Sequence, residues 1–148
     1  KQCHFIMDKT FNVDKLAISF DYSYYEQLIE NTTKTSINKH HKWMYGRVML
    51  LSKLIDDGII NYNKPYHLLG CSLPQEGLFY RNYDKFSFIE SVDTSSPIVH
   101  GYLGIRYEHF GLIEKNPTKL ADIIHEKINN KHIIKYNIEQ FRKMWSRT

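Results

Sequence analysis

Cysteine is nearly absent from this chain of 148 residues: Cys3 and Cys71 stand far apart, outside any C-x-x-C spacing. Two such residues build neither a disulfide framework nor a zinc site, so the expected setting is reducing and cytoplasmic. Proline and glycine are sparse, at four and seven, and no stretch has the composition of a flexible linker. With no internal repeat or low-complexity tract either, the expectation is one domain over 1–148. Long apolar runs are missing as well. None approaches the length that crosses a bilayer, and the N-terminal residues lack the layout of a signal peptide, so no membrane partner is expected. Histidine spacing gives no metal set. His40 and His41 are adjacent and point to different sides of a helix, His67 lies inside an apolar strand, and His100 stands beside Gly101. None makes the i, i+4 pair that a helical metal site uses. No glycine-rich phosphate loop and no Ser/His/Asp triad is legible, and no cofactor is expected.

Apolar residues make up 42% of the chain and charged residues 24%, with eleven tyrosines and eight phenylalanines. That balance belongs to a globular chain with a core. Its charge is uneven. From Lys115 onward eight Lys or Arg face three acids, whereas the first 114 residues carry a net charge of minus one. A basic C-terminal part (116–148) attracts phosphate backbones, and it serves solubility equally. Lys131, Lys135, Arg142 and Lys143, with His100 and Arg106 upstream, are the candidate nucleic-acid contacts.

Strand and helix patterns alternate. "CHFIM" reads as an edge strand, and "KLAISFDY" as a buried strand that ends at Asp21. "SYYEQLIENTTKTS" predicts a turn or two of helix and then loop. In "INKHHKWMYGRVMLLSKLIDDG", Met44, Val48, Leu51 and Ile55 recur at helical spacing, and Gly58 suits the stop. "YHLLGCS" and "FSFIESVD" are the next strands, with a short helix over "PQEGLFYRNY" between them. Asn116 and Pro117 start a helix, and a last amphipathic helix presents Ile134, Ile138, Phe141 and Met144 or Trp145. This alternation predicts an α/β fold of parallel βα units. Such folds place their sites at the carboxyl edge of the sheet.

Three strand exits meet that condition. Asp93 follows "FSFIESV" and precedes "TSSP". One reading makes it a poorly solvated carboxylate, a nucleophile at a sugar carbon or a base; the other makes it a cap accepting N–H bonds within its own turn. Gly70 either lets a flat ligand approach bare main chain or simply ends a strand. Asp21 completes the trio, and two acids on one crevice can divide attack and ligand binding.

The stretches "KPYHLLGCSLPQEG" and "FIESVDTSSP" resemble the tRNA-guanine transglycosylase family, including viral relatives that place 7-deazaguanines in DNA. In that family a strand reading about K-P-x-Y-L-M-G-V-G-x-P-x-D precedes one reading F-D-C-V-x-P-T-R. Its aspartate stands four residues before the proline, as Asp93 stands before Pro97. The resemblance runs from Leu16 to Gly101. It implies a (β/α)₈, or TIM-barrel, fold whose last two strands these would be. It implies that Asp93 attacks the anomeric carbon of a guanosine nucleotide and holds the sugar as an ester until a 7-deazaguanine displaces it. Leu69 and Gly70 would line the base pocket, and Asp21, in "ISFDYSYYE", would bind the Watson–Crick edge of the purine.

The family's arginines after the proline are Ile98, Val99 and His100 here, and its cysteine-rich zinc site is missing. DNA is therefore expected over tRNA, and a virus-encoded chain would work in the host cytoplasm. Only a short loop joins Gly58 to Tyr66, so two middle strands of the barrel have no counterpart, and a full barrel takes roughly 200 residues or more. A partial or compact barrel follows, the C-terminal part of the family's. The alternative is a binding or inhibitory module that lost catalysis, or a fragment that needs a second copy or a complementary chain.

Overall fold

The computed structural model describes residues 13–30, 38–71, 73–108 and 118–146. Three short strands pair side by side, all parallel, in the order β1 (Leu16–Ile18), β2 (Tyr66–Leu68), β3 (Ile89–Val92). Parallel neighbours need a crossover, and helices supply it. Between β1 and β2 lie α1 (Tyr22–Glu30) and α2 (Lys39–Asp56); between β2 and β3 lie α3 (Glu76–Asn82) and a 3₁₀ turn (Asp84–Phe86). After β3 come α4 (Ser96–Tyr102), the single turn α5 (Leu120–Ile123) and α6 (Lys131–Trp145).

Side-chain alternation divides the sheet into two unlike faces. Leu16, Ile18, Tyr66 and Leu68 point into the core, where Leu51 and Leu54 of α2, Tyr80 of α3, Phe86 and Phe88 meet them. Aromatic edges fill that space: Tyr66 lies on Phe88 with centroids 4.9 Å apart, and Tyr80 on Phe86 at 5.1 Å. Ala17, exposed, and His67, partly exposed, point the other way. The β2–β3 register slips by one residue between Ile89 and Ser91, which brings Ser91 opposite His67.

Helix α6 closes the molecule against α3 and α4 through two glycines. A Cβ on Gly77 would sit 2.7 Å from the Met144 carbonyl and from the Trp145 ring, and one on Gly101 would sit 2.6 Å from the Ile134 backbone. Only hydrogen fits at such approaches. Asn137, wholly buried on α6, accepts from Tyr107 N at 3.0 Å and donates to the Ile105 carbonyl at 2.8 Å and the Pro97 carbonyl at 3.4 Å. It satisfies the irregular backbone after α4, which otherwise would be left with buried polar groups.

The sequence patterns locate β1, α2, β2, α3, β3 and α6 to within a few residues. Three helices differ from the sequence pattern, which marks none at Ser96–Tyr102, where α4 forms. The stretch after Asp21 is a nine-residue helix rather than a turn or two, because Tyr25 and Ile29 gain burial against α2 that local propensity does not register. Over Leu120–Asn130 the expected helix is one turn, Leu120–Ile123; Ile124 and Ile128 stay exposed, and without an apolar face to bury a helix is not held. The "CHFIM" run and the Asn116–Pro117 start lie outside the described residues.

Candidate functional site

The three predicted strand-exit residues all lie past the carboxyl ends of the strands, Asp21 after β1, Gly70 after β2 and Asp93 after β3. Because β2 stands between β1 and β3, the outer exits are two strand spacings apart, about 10 Å.

Asp93 continues the ladder, its N–H donating to the Leu68 carbonyl at 3.3 Å. One carboxylate oxygen, Oδ1, accepts from Gly70 N at 3.0 Å and faces His67 Nε2 at 3.1 Å. His67 Nδ1 in turn lies 2.8 Å from Ser91 Oγ. Nε2 facing a carboxylate is the donor of that pair, so hydroxyl, imidazole and carboxylate form one line across β2 and β3. Neither His67 nor Ser91 belongs to the site read from sequence. Both sit on the open sheet face, and only the slipped register makes them partners.

The local-cap reading of Asp93 fails, since Ser96 N takes its acceptor from Thr94 Oγ1 at 3.1 Å while Asp93 turns to the neighbouring strand. The expected burial is corrected too: the Asp93 side chain is 60% exposed and His67 is 25% exposed. The second oxygen of Asp93, Oδ2, has no protein partner among the described residues. A water-covered carboxylate is a weak nucleophile until a ligand displaces that water.

Gly70 has φ +67°, and a Cβ there would meet Phe20 at 3.4 Å. That contact is an ordinary one, so it is the positive φ that favours glycine. The loop is clamped from below by Arg47 of α2, which is fully buried and donates to the carbonyls of Leu69 and Gly70, both at 2.9 Å. Its Nε and a terminal nitrogen also hold both oxygens of buried Glu76, at 2.6 and 2.9 Å, and the guanidinium lies 4.5 Å from the Phe20 ring centre. Tyr80 donates to Glu76 at 2.7 Å. Burial opposes the Arg47 charge, but the Glu76 carboxylate outweighs it and holds the guanidinium above its ordinary range. The Leu69 and Gly70 carbonyls therefore face inward to Arg47, and the Leu69 side chain is exposed.

Asp21 is exposed and caps α1. Its Oδ1 accepts from Tyr24 N at 3.1 Å and Ser23 Oγ at 2.8 Å, bonds that hold its carboxyl below the usual range.

The candidate nucleic-acid contacts divide. His100 is buried within α4, its Nδ1 2.8 Å from the Ser96 carbonyl and its ring against Tyr107, so a surface role for it is corrected: it presents almost no surface to a nucleic acid. Arg106 is exposed, paired with Glu108 at 2.8 Å and lying over Tyr136. Lys131, Lys135, Arg142 and Lys143 are exposed on α6, and the spacing of Lys131, Lys135 and Arg142 puts them on one stripe. Among the described residues no cluster of three His, Cys, Asp or Glu is arranged to hold a metal, and no helix is long and apolar enough to cross a membrane. Comparison of the chain with protein-family models, curated proteins and solved structures gave no match.

Proposed function

We propose that this chain is a base-exchange transglycosylase that replaces guanine in nucleic acid, DNA before tRNA, by a 7-deazaguanine, on a shortened barrel of the transglycosylase type. The observation that supports this most is the carboxylate at the exit of β3, tied through one oxygen to Gly70 N and His67 with its other oxygen unengaged. Asp93 Oδ2 attacks the sugar carbon that bears the base. The carbon–N9 bond breaks with its electron pair passing to guanine, which takes up a proton from solvent as it leaves. The sugar stays as an ester of Asp93 until N9 of the incoming 7-deazaguanine, losing its proton, forms the new bond and frees the carboxylate. His67 and Gly70 N orient the carboxylate by occupying Oδ1, a positioning role. Asp21, ionised at neutral pH, accepts from the amino and ring N–H groups of guanine. Purine and sugar displace the water over Asp93, and a flipped or single-stranded guanine is the accessible form.

The test supplies single-stranded DNA carrying labelled guanine, with an unlabelled 7-deazaguanine, and follows label release. The wild type releases label and Asp93→Asn does not; a denaturation-resistant adduct maps to Asp93. No release by wild type with either DNA or RNA acceptors overturns the reading.

One observation favours a second reading. Both β1 and β3 leave an outer edge unpaired among the described strands, and such edges recruit partner strands. On that reading the chain is a binding or inhibitory module, or completes its sheet with a second copy or a complementary chain, and native mass measurement separates these from an active monomer.

A further inference from the structure

Along the outer edge of β3 runs a cleft of about 520 Å³, within the range of small-ligand sites. β3 walls it from Ile89 to Val92, ending one residue short of Asp93. Tyr80 of α3, Phe141 and Trp145 of α6, and Phe86 form the rest of its apolar lining. The Phe141 and Trp145 rings stack with centroids 5.7 Å apart and planes 25° from parallel. Arg81 and Arg142 line the cleft as well, and its acid, Glu90, is ion-paired away to Lys15. The cleft is therefore cationic. Trp145 Nε1 is buried beneath this lining and does not open to the cleft.

Stacked rings and the Arg142 guanidinium, with Arg81 held beside it on the Lys143 carbonyl, are complementary to a flat base joined to a phosphate. We infer that this cleft holds a nucleotide of a single strand, a neighbour of the one presented to Asp93. The inference rests on the base-exchange reading for which strand is held. The ring pair takes the base face and Arg142 the phosphate. Because a paired base cannot offer its face to a side chain, single-stranded substrate is required here for a second reason.

The experiment titrates the protein with a fluorescein-labelled single-stranded 12-mer at several salt concentrations, reading anisotropy. Arg142→Gln, on an exposed position, weakens binding about tenfold and lowers the slope of log affinity against log salt by about 0.7. Phe141→Leu weakens binding by about tenfold with the slope unchanged. In a Trp43→Phe background, Trp145 emission changes on adding the 12-mer, and a free mononucleotide in the same titration gives a weaker change at equal concentration. If the 12-mer binds while both cleft substitutions leave affinity and slope as in wild type, the proposal is overturned. Base exchange that proceeds indifferent to the cleft substitutions removes the cleft alone. Cleft-dependent binding with no exchange removes the enzymatic reading and leaves the cleft standing.

Discussion

Arg47 and Glu76 have no exposed side-chain surface and form a buried ion pair. A buried pair is tolerable only when it is well hydrogen-bonded, and here guanidinium N–H groups reach both carboxylate oxygens and two loop carbonyls while the Tyr80 hydroxyl donates to Glu76. Removing one member strands the other. Glu76→Gln is expected to lower stability by about 3–5 kcal/mol, read from the urea midpoint at constant m-value. Arg47→Lys keeps the charge but loses the forked geometry, so it costs stability and also loosens the Gly70 loop that holds Asp93. His67 acts on the same carboxylate from the open face of the sheet. On the base-exchange reading, His67→Ala lowers the single-turnover rate by roughly tenfold to a hundredfold with little change in strand affinity, whereas a structural role alone would move stability and leave the rate at saturating substrate.

Helix α6 shows how elements are positioned by what is left out. Gly77 and Gly101 admit its backbone to 2.6–2.7 Å of where a side chain would begin, and Asn137 then binds the backbone beyond α4. Gly101→Ala must push α6 outward, at a cost of about 1–3 kcal/mol, and hydrogen exchange should rise in α6 while α2 stays protected. The same displacement opens the aromatic cleft along β3. The stretch after Asp21 and the one near Ile124 argue the converse point. One gains helix from burial against α2, the other loses it for lack of a face to bury.

For the whole molecule, the buried phenols of Tyr25, Tyr80 and Tyr107 lower stability at alkaline pH. Burial pushes Tyr25 up to about 12 and holds Tyr80 and Tyr107 above their ordinary value. An unfolded tyrosine ionises near pH 10 (about), so above that pH the unfolded chain sheds protons that the fold retains. Their contribution to stability is complete below about pH 10 and is lost as pH rises toward 12. Urea denaturation between pH 8 and 12 (roughly) should show this fall, with Tyr25→Phe making it shallower. Asp21 works with the opposite sign: its lowered value means its cap is intact above the ordinary carboxylate range and is lost as pH falls through its folded value.

Local pattern was enough to place strands ending at Asp21, Gly70 and Asp93 and to make α2 an amphipathic helix, because apolar period and punctuation act over a few neighbouring residues. The pairings that build the site were not legible in it. Ser91 meets His67 across 24 positions and Glu76 meets Arg47 across 29, and the first of these depends on a one-residue slip between β2 and β3. His100, polar in sequence, is buried against Ser96 and Tyr107, and Asn137 is buried to serve a loop more than thirty residues earlier. Sequence determined which groups stand at the edge of the sheet; strand register and helix approach decided which of them touch, since hydrogen bonds and ion pairs are fixed within a few tenths of an ångström by the packing of distant segments.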